Sequence, residues 1–292
     1  MSVSKYIITF CTTNRFARLL RLNSPIPILL MIAPVLWVVF IYSNHKLLFS
    51  TIFIIGGFLT RSLGCVINDM TDYQLDQKVY RTMNRPIASG EITLLEALGV
   101  VIVLALPSMF LLLQLPNNAI EWGLYSSLLI LIYPKAKLFT NFPQIILGIT
   151  YNMGVIISYY TFNEEFSTPL LAIYLASVFW TIGFDSIYAY QDRKYDINEK
   201  VGSVAVKLGK KGKIFISCCY TITICCLVIL GIQLEFSYVY YLFVALGVIH
   251  LYWQIETLNI ENPKDCKKKF DSNAIFALLI LSATIFSKSV FI

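Results

Sequence analysis

The chain has 292 residues, 57% of them hydrophobic and 14% charged, with a formal net charge of +6 and a mean hydropathy of +0.70. A soluble domain of this size carries close to twice that charged fraction, so these values exclude an ordinary water-soluble fold. Runs of about 20 apolar residues, the length that crosses a bilayer as a helix, recur throughout.

From the N-terminus, residues 1–22 are basic and free of acids, too short in their apolar stretch for a secretory signal. They read as an amphipathic lead-in at the membrane surface, with an organelle transit sequence as the alternative. About nine spans follow, near 26–43, 46–68, 91–114, 119–133, 143–161, 168–190, 213–233, 236–255 and 272–290. Pro, Gly and polar groups interrupt several of them, which membrane helices tolerate where neighbours satisfy the backbone. The expectation is an all-α integral membrane protein, with 1–292 forming one polytopic domain.

Basic residues orient the spans, because cytoplasmic loops collect Lys and Arg. With the N-terminus inside, all but Lys46 and Lys288 of the 23 Lys and Arg fall on the cytoplasmic side. The charge is thus a topological signature that also suits anionic lipid headgroups. The basic loops are short connectors, which argues against a nucleic-acid partner. Seven Cys without C-x-x-C pairing and two distant His, His45 and His250, argue against a disulfide framework or a zinc site.

The acids are distributed very unevenly. Of eight Asp, six lie in two short stretches, Asp69, Asp72 and Asp76, and Asp185, Asp192 and Asp196. At 3.6 residues per turn the first three fall within about 60° of helical arc and the second three within about 40°. If helix continues through both stretches, each presents three carboxylates on one face at the cytoplasmic end of its span. Stacked like charges destabilise a helix, and carboxylates near lipid are costly unless paired. Mg²⁺ relieves both, since it takes carboxylate oxygens together with substrate phosphates. Two such helix ends facing each other are expected to hold Mg²⁺ and a diphosphate.

Cations follow directly. Lys78, Arg81 and Arg85 lie just beyond the first cluster, and Arg is suited to bidentate phosphate binding, Lys to point-charge neutralisation. These three are the diphosphate-binding candidates. Arg193, Lys194, Lys200 and Lys207 follow the second cluster, where topology and chemistry are not separable.

The run Arg61-Ser62-Leu63-Gly64-Cys65-Val66-Ile67-Asn68-Asp69-Met70-Thr71-Asp72, continuing to Arg81-Thr82 and Arg85-Pro86, resembles the first signature of the UbiA family of membrane prenyltransferases. Asp185 to Asp196 resembles its second aspartate motif. Tyr133-Pro134-Lys135-Ala136-Lys137 with Pro143-Gln144 and Gly148 resembles its central segment, and Arg21-Leu22 with Pro25 its opening. The likeness covers roughly 20–210 and is nearest the branch acting on 4-hydroxybenzoate. Leu138, Tyr195, Gly202, Ser24 and Pro27 depart from the family pattern.

The resemblance implies a nine-helix ring around a central apolar cavity. It also implies Mg²⁺-dependent transfer of a polyprenyl group from polyprenyl diphosphate to the ring carbon ortho to the hydroxyl of 4-hydroxybenzoate, a step of ubiquinone biosynthesis. On this reading Asp69, Asp72, Asp76, Asp185, Asp192 and Asp196 hold the metal, with Asp72, Asp192 and Lys137 catalytic. Lys137 joins Lys78, Arg81 and Arg85 at the diphosphate. Asn68, Arg61 and Arg21 meet the acceptor, and Tyr133, Tyr188 and Tyr190 stabilise an allylic carbocation through their rings. The expected location is a bacterial inner membrane with a cytoplasmic active site, or the mitochondrial inner membrane. The rival readings are a family enzyme with another acceptor (naphthoate, homogentisate or haem) and a cation-coupled transporter. A transporter's charges should lie near the bilayer midplane, whereas both clusters end their spans.

Overall fold

The computed structural model describes residues 9–78, 82–132, 140–198 and 202–287. Among these there is no strand, and the helices are α1 (Arg15–Leu19), α2 (Ile26–Tyr42), α3 (Lys46–Asp76), α4 (Leu94–Leu112), α5 (Asn117–Ile132), α6 (Pro143–Tyr151), α7 (Met153–Phe162), α8 (Thr168–Ala189), α9 (Arg193–Asn198), α10 (Val204–Leu208), α11 (Gly212–Gln233), α12 (Tyr238–Thr257) and α13 (Pro263–Ile285). Apart from end residues, each expected span is helical over its described part. The exception is 143–161, which breaks at Asn152 between α6 and α7. Six segments among the described residues are long and apolar enough to cross a membrane: Lys46–Asp76, Leu94–Leu112, Pro143–Phe162, Thr168–Ala189, Val204–Gln233 and Tyr238–Thr257. The protein is an all-helical integral membrane protein.

The chain forms two compact units, one of residues up to Ile28 with Ile54–Leu115, the other of Leu29–Phe53 with Pro116–Ile292. In the first, Leu19, Val66, Ile87, Ile92, Ala97 and Leu104 make a buried core. Local chemistry sets its helix ends. The Asn14 side chain accepts from the Phe16 and Ala17 amides at the start of α1. Thr93 and Glu96 form a reciprocal capping box at the start of α4, which satisfies two otherwise orphaned amides.

In the second unit α8 is the most buried span. Trp180 lies 5.5 Å from Trp37 and 5.2 Å from Phe276, centroid to centroid, and its indole N–H donates to Asn273 Oδ1 at 2.9 Å. A Cβ added to Gly183 would fall 2.4 Å from the Tyr220 ring, so the absent side chain is what lets α8 and α11 approach. The break at Asn152 is compensated by its amide, which donates to Gly148 O at 2.8 Å and Thr181 Oγ1 at 2.8 Å. A freed backbone carbonyl is thereby satisfied inside the membrane span, as lipid requires.

Candidate functional site

The first aspartate stretch meets its expectation of unbroken helix. α3 runs without interruption to Asp76, so Asp69, Asp72 and Asp76 share its last two turns. Their environments differ. Asp69 is buried, with a side chain 1% exposed, Asp76 is buried, and Asp72 is half-buried.

Two guanidinium groups occupy the buried carboxylates. Arg21 Nη2 donates to both oxygens of Asp69, at 2.6 and 2.9 Å. Arg85 Nη1 donates to Asp69 Oδ1 at 3.1 Å and to Asp76 Oδ2 at 2.7 Å. The chain is therefore Arg21–Asp69–Arg85–Asp76, two cations against two anions. Charges this deeply placed persist only when paired and hydrogen-bonded.

Arg21 belongs to a ladder on the N-terminal lead-in. Arg15 pairs with Glu96 at 3.1 Å and Arg18 with Glu91 at 2.6 Å, so residues 15, 18 and 21 each dock on an acid. The Arg18 hydrogen bond holds the Glu91 carboxyl below its ordinary value. The sequence assigns Arg15 and Arg18 to topology alone and Arg21 also to the acceptor, and it names none of these acidic partners. Their partners lie 48 to 81 residues away, and no local pattern announces them.

The second aspartate stretch corrects an expectation. Helix does not continue through it: α8 ends at Ala189 and α9 begins at Arg193. Between them the amides of Tyr190, Gln191 and Asp192 bond three residues back, to Ile187, Tyr188 and Ala189. Asp185 therefore sits on α8, Asp192 in the turn, and Asp196 in the first turn of α9, so the 40° arc on one helix face does not apply. All three are half-buried.

Tertiary contacts make this turn. The Tyr190 hydroxyl donates to Gly209 O, and a Cβ on Gly212 would collide with the same phenol. Arg193 Nε donates to Ala205 O at 2.9 Å. The buried Gln144 accepts from the Val204 amide at 3.2 Å, which ties α6 to the segment after the second stretch. A Cβ on Gly148 would lie 2.8 Å from Ile182 Cγ1, so α6 approaches α8 closely there.

Among the other expected site residues, Arg61 is half-buried and donates to Cys65 Sγ at 2.8 Å, and Asn68 is half-buried on α3. Lys78 is exposed. Tyr188 packs its ring 4.9 Å from Phe270. Tyr190 is 3% exposed and its hydroxyl donates to the Gly209 carbonyl. Arg81, Tyr133 and Lys137 lie outside the described residues.

Each stretch, taken by itself, offers carboxylate oxygens, the donors that a hard divalent cation takes. Among the described residues no group of three His, Cys, Asp or Glu side chains is disposed to hold a metal alone.

The chain is similar to known proteins along most of its length. A family model described as the UbiA prenyltransferase family matches residues 28–281. The chain is 37% identical over 279 residues to a mitochondrial 4-hydroxybenzoate polyprenyltransferase of Dictyostelium discoideum, covering 94% of this chain but 60% of that protein. It is 31% identical over 269 residues to the 4-hydroxybenzoate octaprenyltransferase of Legionella pneumophila strain Lens, covering 91% of this chain and 95% of that one. Among solved structures, a UbiA homolog from Aeropyrum pernix superposes with a TM-score of 0.75 at 19% identity, over 89% of this chain and 96% of that one. A UbiA homolog from Archaeoglobus fulgidus, bound to DMAPP and Mg²⁺, gives 0.72 at 16% identity, over 95% and 100%.

Proposed function

Because the chain belongs to the UbiA prenyltransferase family, we propose that it transfers a polyprenyl group from polyprenyl diphosphate to 4-hydroxybenzoate, at the ring carbon ortho to the hydroxyl, in ubiquinone biosynthesis. Relatives named for this activity align with more than nine-tenths of the chain, and the Archaeoglobus homolog binds a prenyl diphosphate with Mg²⁺. The single observation that carries the chemistry is the arginine–aspartate cluster at the end of α3. It places Arg85 between two carboxylates of the first motif.

Of the six aspartates expected at the metal, Asp72, Asp76, Asp185, Asp192 and Asp196 are assigned to magnesium, while both oxygens of Asp69 accept from guanidinium groups. Held there, the metal would neutralise charge that grows on the departing diphosphate. Arg85, Arg81 and Lys137 supply further donors to the same oxygens, and Lys78 adds a point charge. Their effect is largest in the transition state, when the allylic C–O bond breaks and its electron pair stays on the diphosphate. Tyr133, Tyr188 and Tyr190 are assigned to the allylic cation that remains, which aromatic faces stabilise.

Arg21 and Arg61 are assigned to the acceptor's carboxylate and Asn68 to its hydroxyl. The phenol's ortho carbon then bonds to the allylic carbon, and loss of the ring proton restores aromaticity. The apolar surroundings exclude water, which would otherwise capture the cation.

We assign the protein to a bacterial inner membrane, with its N-terminus and both aspartate clusters on the cytoplasmic side; the mitochondrial inner membrane is the alternative, since relatives of both kinds exist. Membranes containing the protein, given Mg²⁺, a polyprenyl diphosphate and a panel of phenolic acceptors, test the reading. Prenylated 4-hydroxybenzoate is the expected main product, and preference for a naphthoate or homogentisate would reassign the acceptor.

A further inference from the structure

Arg21 has a backbone φ of +60°, a conformation that L side chains rarely adopt. It occupies the position just past the end of α1, where helices usually place glycine. The turn is a complete Schellman motif: Leu22 N donates to Ala17 O at 2.9 Å and Arg21 N to Arg18 O at 3.1 Å. The sequence thus keeps a strained arginine where Gly would fit without cost. Its guanidinium lies on Asp69, whose Oδ1 also takes Arg85.

Both Asp69 oxygens therefore accept from guanidinium groups, and the side chain is 1% exposed. A magnesium ligand must instead turn a lone pair to an ion about 2 Å away that retains several waters. Asp72, one turn along the same helix and half-buried, is the better placed carboxylate.

We propose that Asp69 is a positioning residue, not a magnesium ligand. Its carboxylate clamps Arg21 and Arg85 into a fixed pair of cations, one meeting the acceptor's carboxylate and the other the donor's diphosphate. The proposal rests on the prenyl-transfer reading for the identity of those two anions. The clamp itself is a property of the ion pairs.

The test uses purified full-length protein in detergent and two readouts. The first is the Mg²⁺ concentration giving half of the thermal stabilisation produced by inorganic pyrophosphate. The second is KM and kcat with 4-hydroxybenzoate and geranyl diphosphate. For Asp69→Asn the expected result is KM raised about fivefold or more for both substrates, with kcat within about twofold and the Mg²⁺ midpoint unmoved. Asp72→Asn, by contrast, should move that midpoint by about tenfold or more. An equal shift in both variants would make Asp69 a ligand and overturn the proposal.

Arg21→Gly covers the case in which Asp69→Asn fails to fold, since it relieves the strained turn and leaves Asp69 paired with Arg85. It should raise KM for 4-hydroxybenzoate and leave the Mg²⁺ midpoint in place. Arg21→Lys should restore part of the acceptor affinity. Unchanged KM in Arg21→Gly would sink the proposal. Wild-type protein that binds Mg²⁺ and pyrophosphate but never prenylates 4-hydroxybenzoate would refute the acceptor reading, while the midpoints still decide the role of Asp69.

Discussion

Arg85 Nη1 lies 2.7 Å from Oδ2 of Asp76, a residue nine positions earlier, and the same nitrogen reaches Asp69 at 3.1 Å. One guanidinium thus joins the loop after α3 to the last two turns of that helix. Replacing it leaves Asp76 without this partner, while Asp69 keeps Arg21. Arg85→Ala should cost roughly 1–3 kcal/mol, below the loss for a fully buried pair because Arg85 is partly solvated. Arg85→Lys keeps the charge but not the planar fork, so it should recover stability better than turnover. Thermal unfolding in detergent, read beside KM for the prenyl diphosphate, separates the two effects.

Asp72→Asn and Asp192→Asn should each reduce turnover by about 100-fold or more, since removing one electrostatic contact to developing charge costs on that order. Membrane insertion and elution as a folded species should not change. Full activity in either variant would remove that residue from the metal site.

Gly183 stands two residues before Asp185 and against the Tyr220 ring. Gly183→Ala should force the ring aside and strain its hydrogen bond to Gln254. Overpacking of this kind costs about 1–3 kcal/mol, and it should also lower turnover by displacing Asp185. Gly99→Ala is the control, because a Cβ there meets nothing within 4 Å. Melting temperatures of the two variants, measured side by side, give the comparison.

Glu91 gives a pH dependence with a defined sign. Its carboxyl is held below the ordinary value of 4.5 by the hydrogen bond from Arg18. The contribution is therefore present above the unfolded pKa and is lost as pH falls through the lower folded one. The pair is at the surface, so it is worth under about 1 kcal/mol. Proteolysis at residues 82–92 should accelerate on acidification in wild type more than in Glu91→Gln.

Much of the fold was legible because lipid admits few solutions. Apolar length located the spans, and α3 continued through Asp69, Asp72 and Asp76 as the spacing predicts. The second cluster was not legible in the same way. No Gly or Pro lies between Asp185 and Asp196, so nothing local announces the break at Tyr190. It is imposed from outside, by the Gly209 carbonyl on the Tyr190 hydroxyl and by the Arg193 bond to Ala205. The Arg21–Asp69 pair was hidden for a related reason. It closes 48 residues of chain through a left-handed turn at a residue that does not advertise one.

The central claim is that both aspartate clusters serve Mg²⁺-dependent ionisation of a prenyl diphosphate in the presence of 4-hydroxybenzoate. It is tested most directly by following diphosphate release and prenylated 4-hydroxybenzoate together in purified protein, with Mg²⁺ present and after its removal by chelation. The account predicts equimolar appearance of the two products, abolished by chelation and restored by added Mg²⁺. Prenylation that continues without divalent metal, or that survives loss of either cluster, would contradict it.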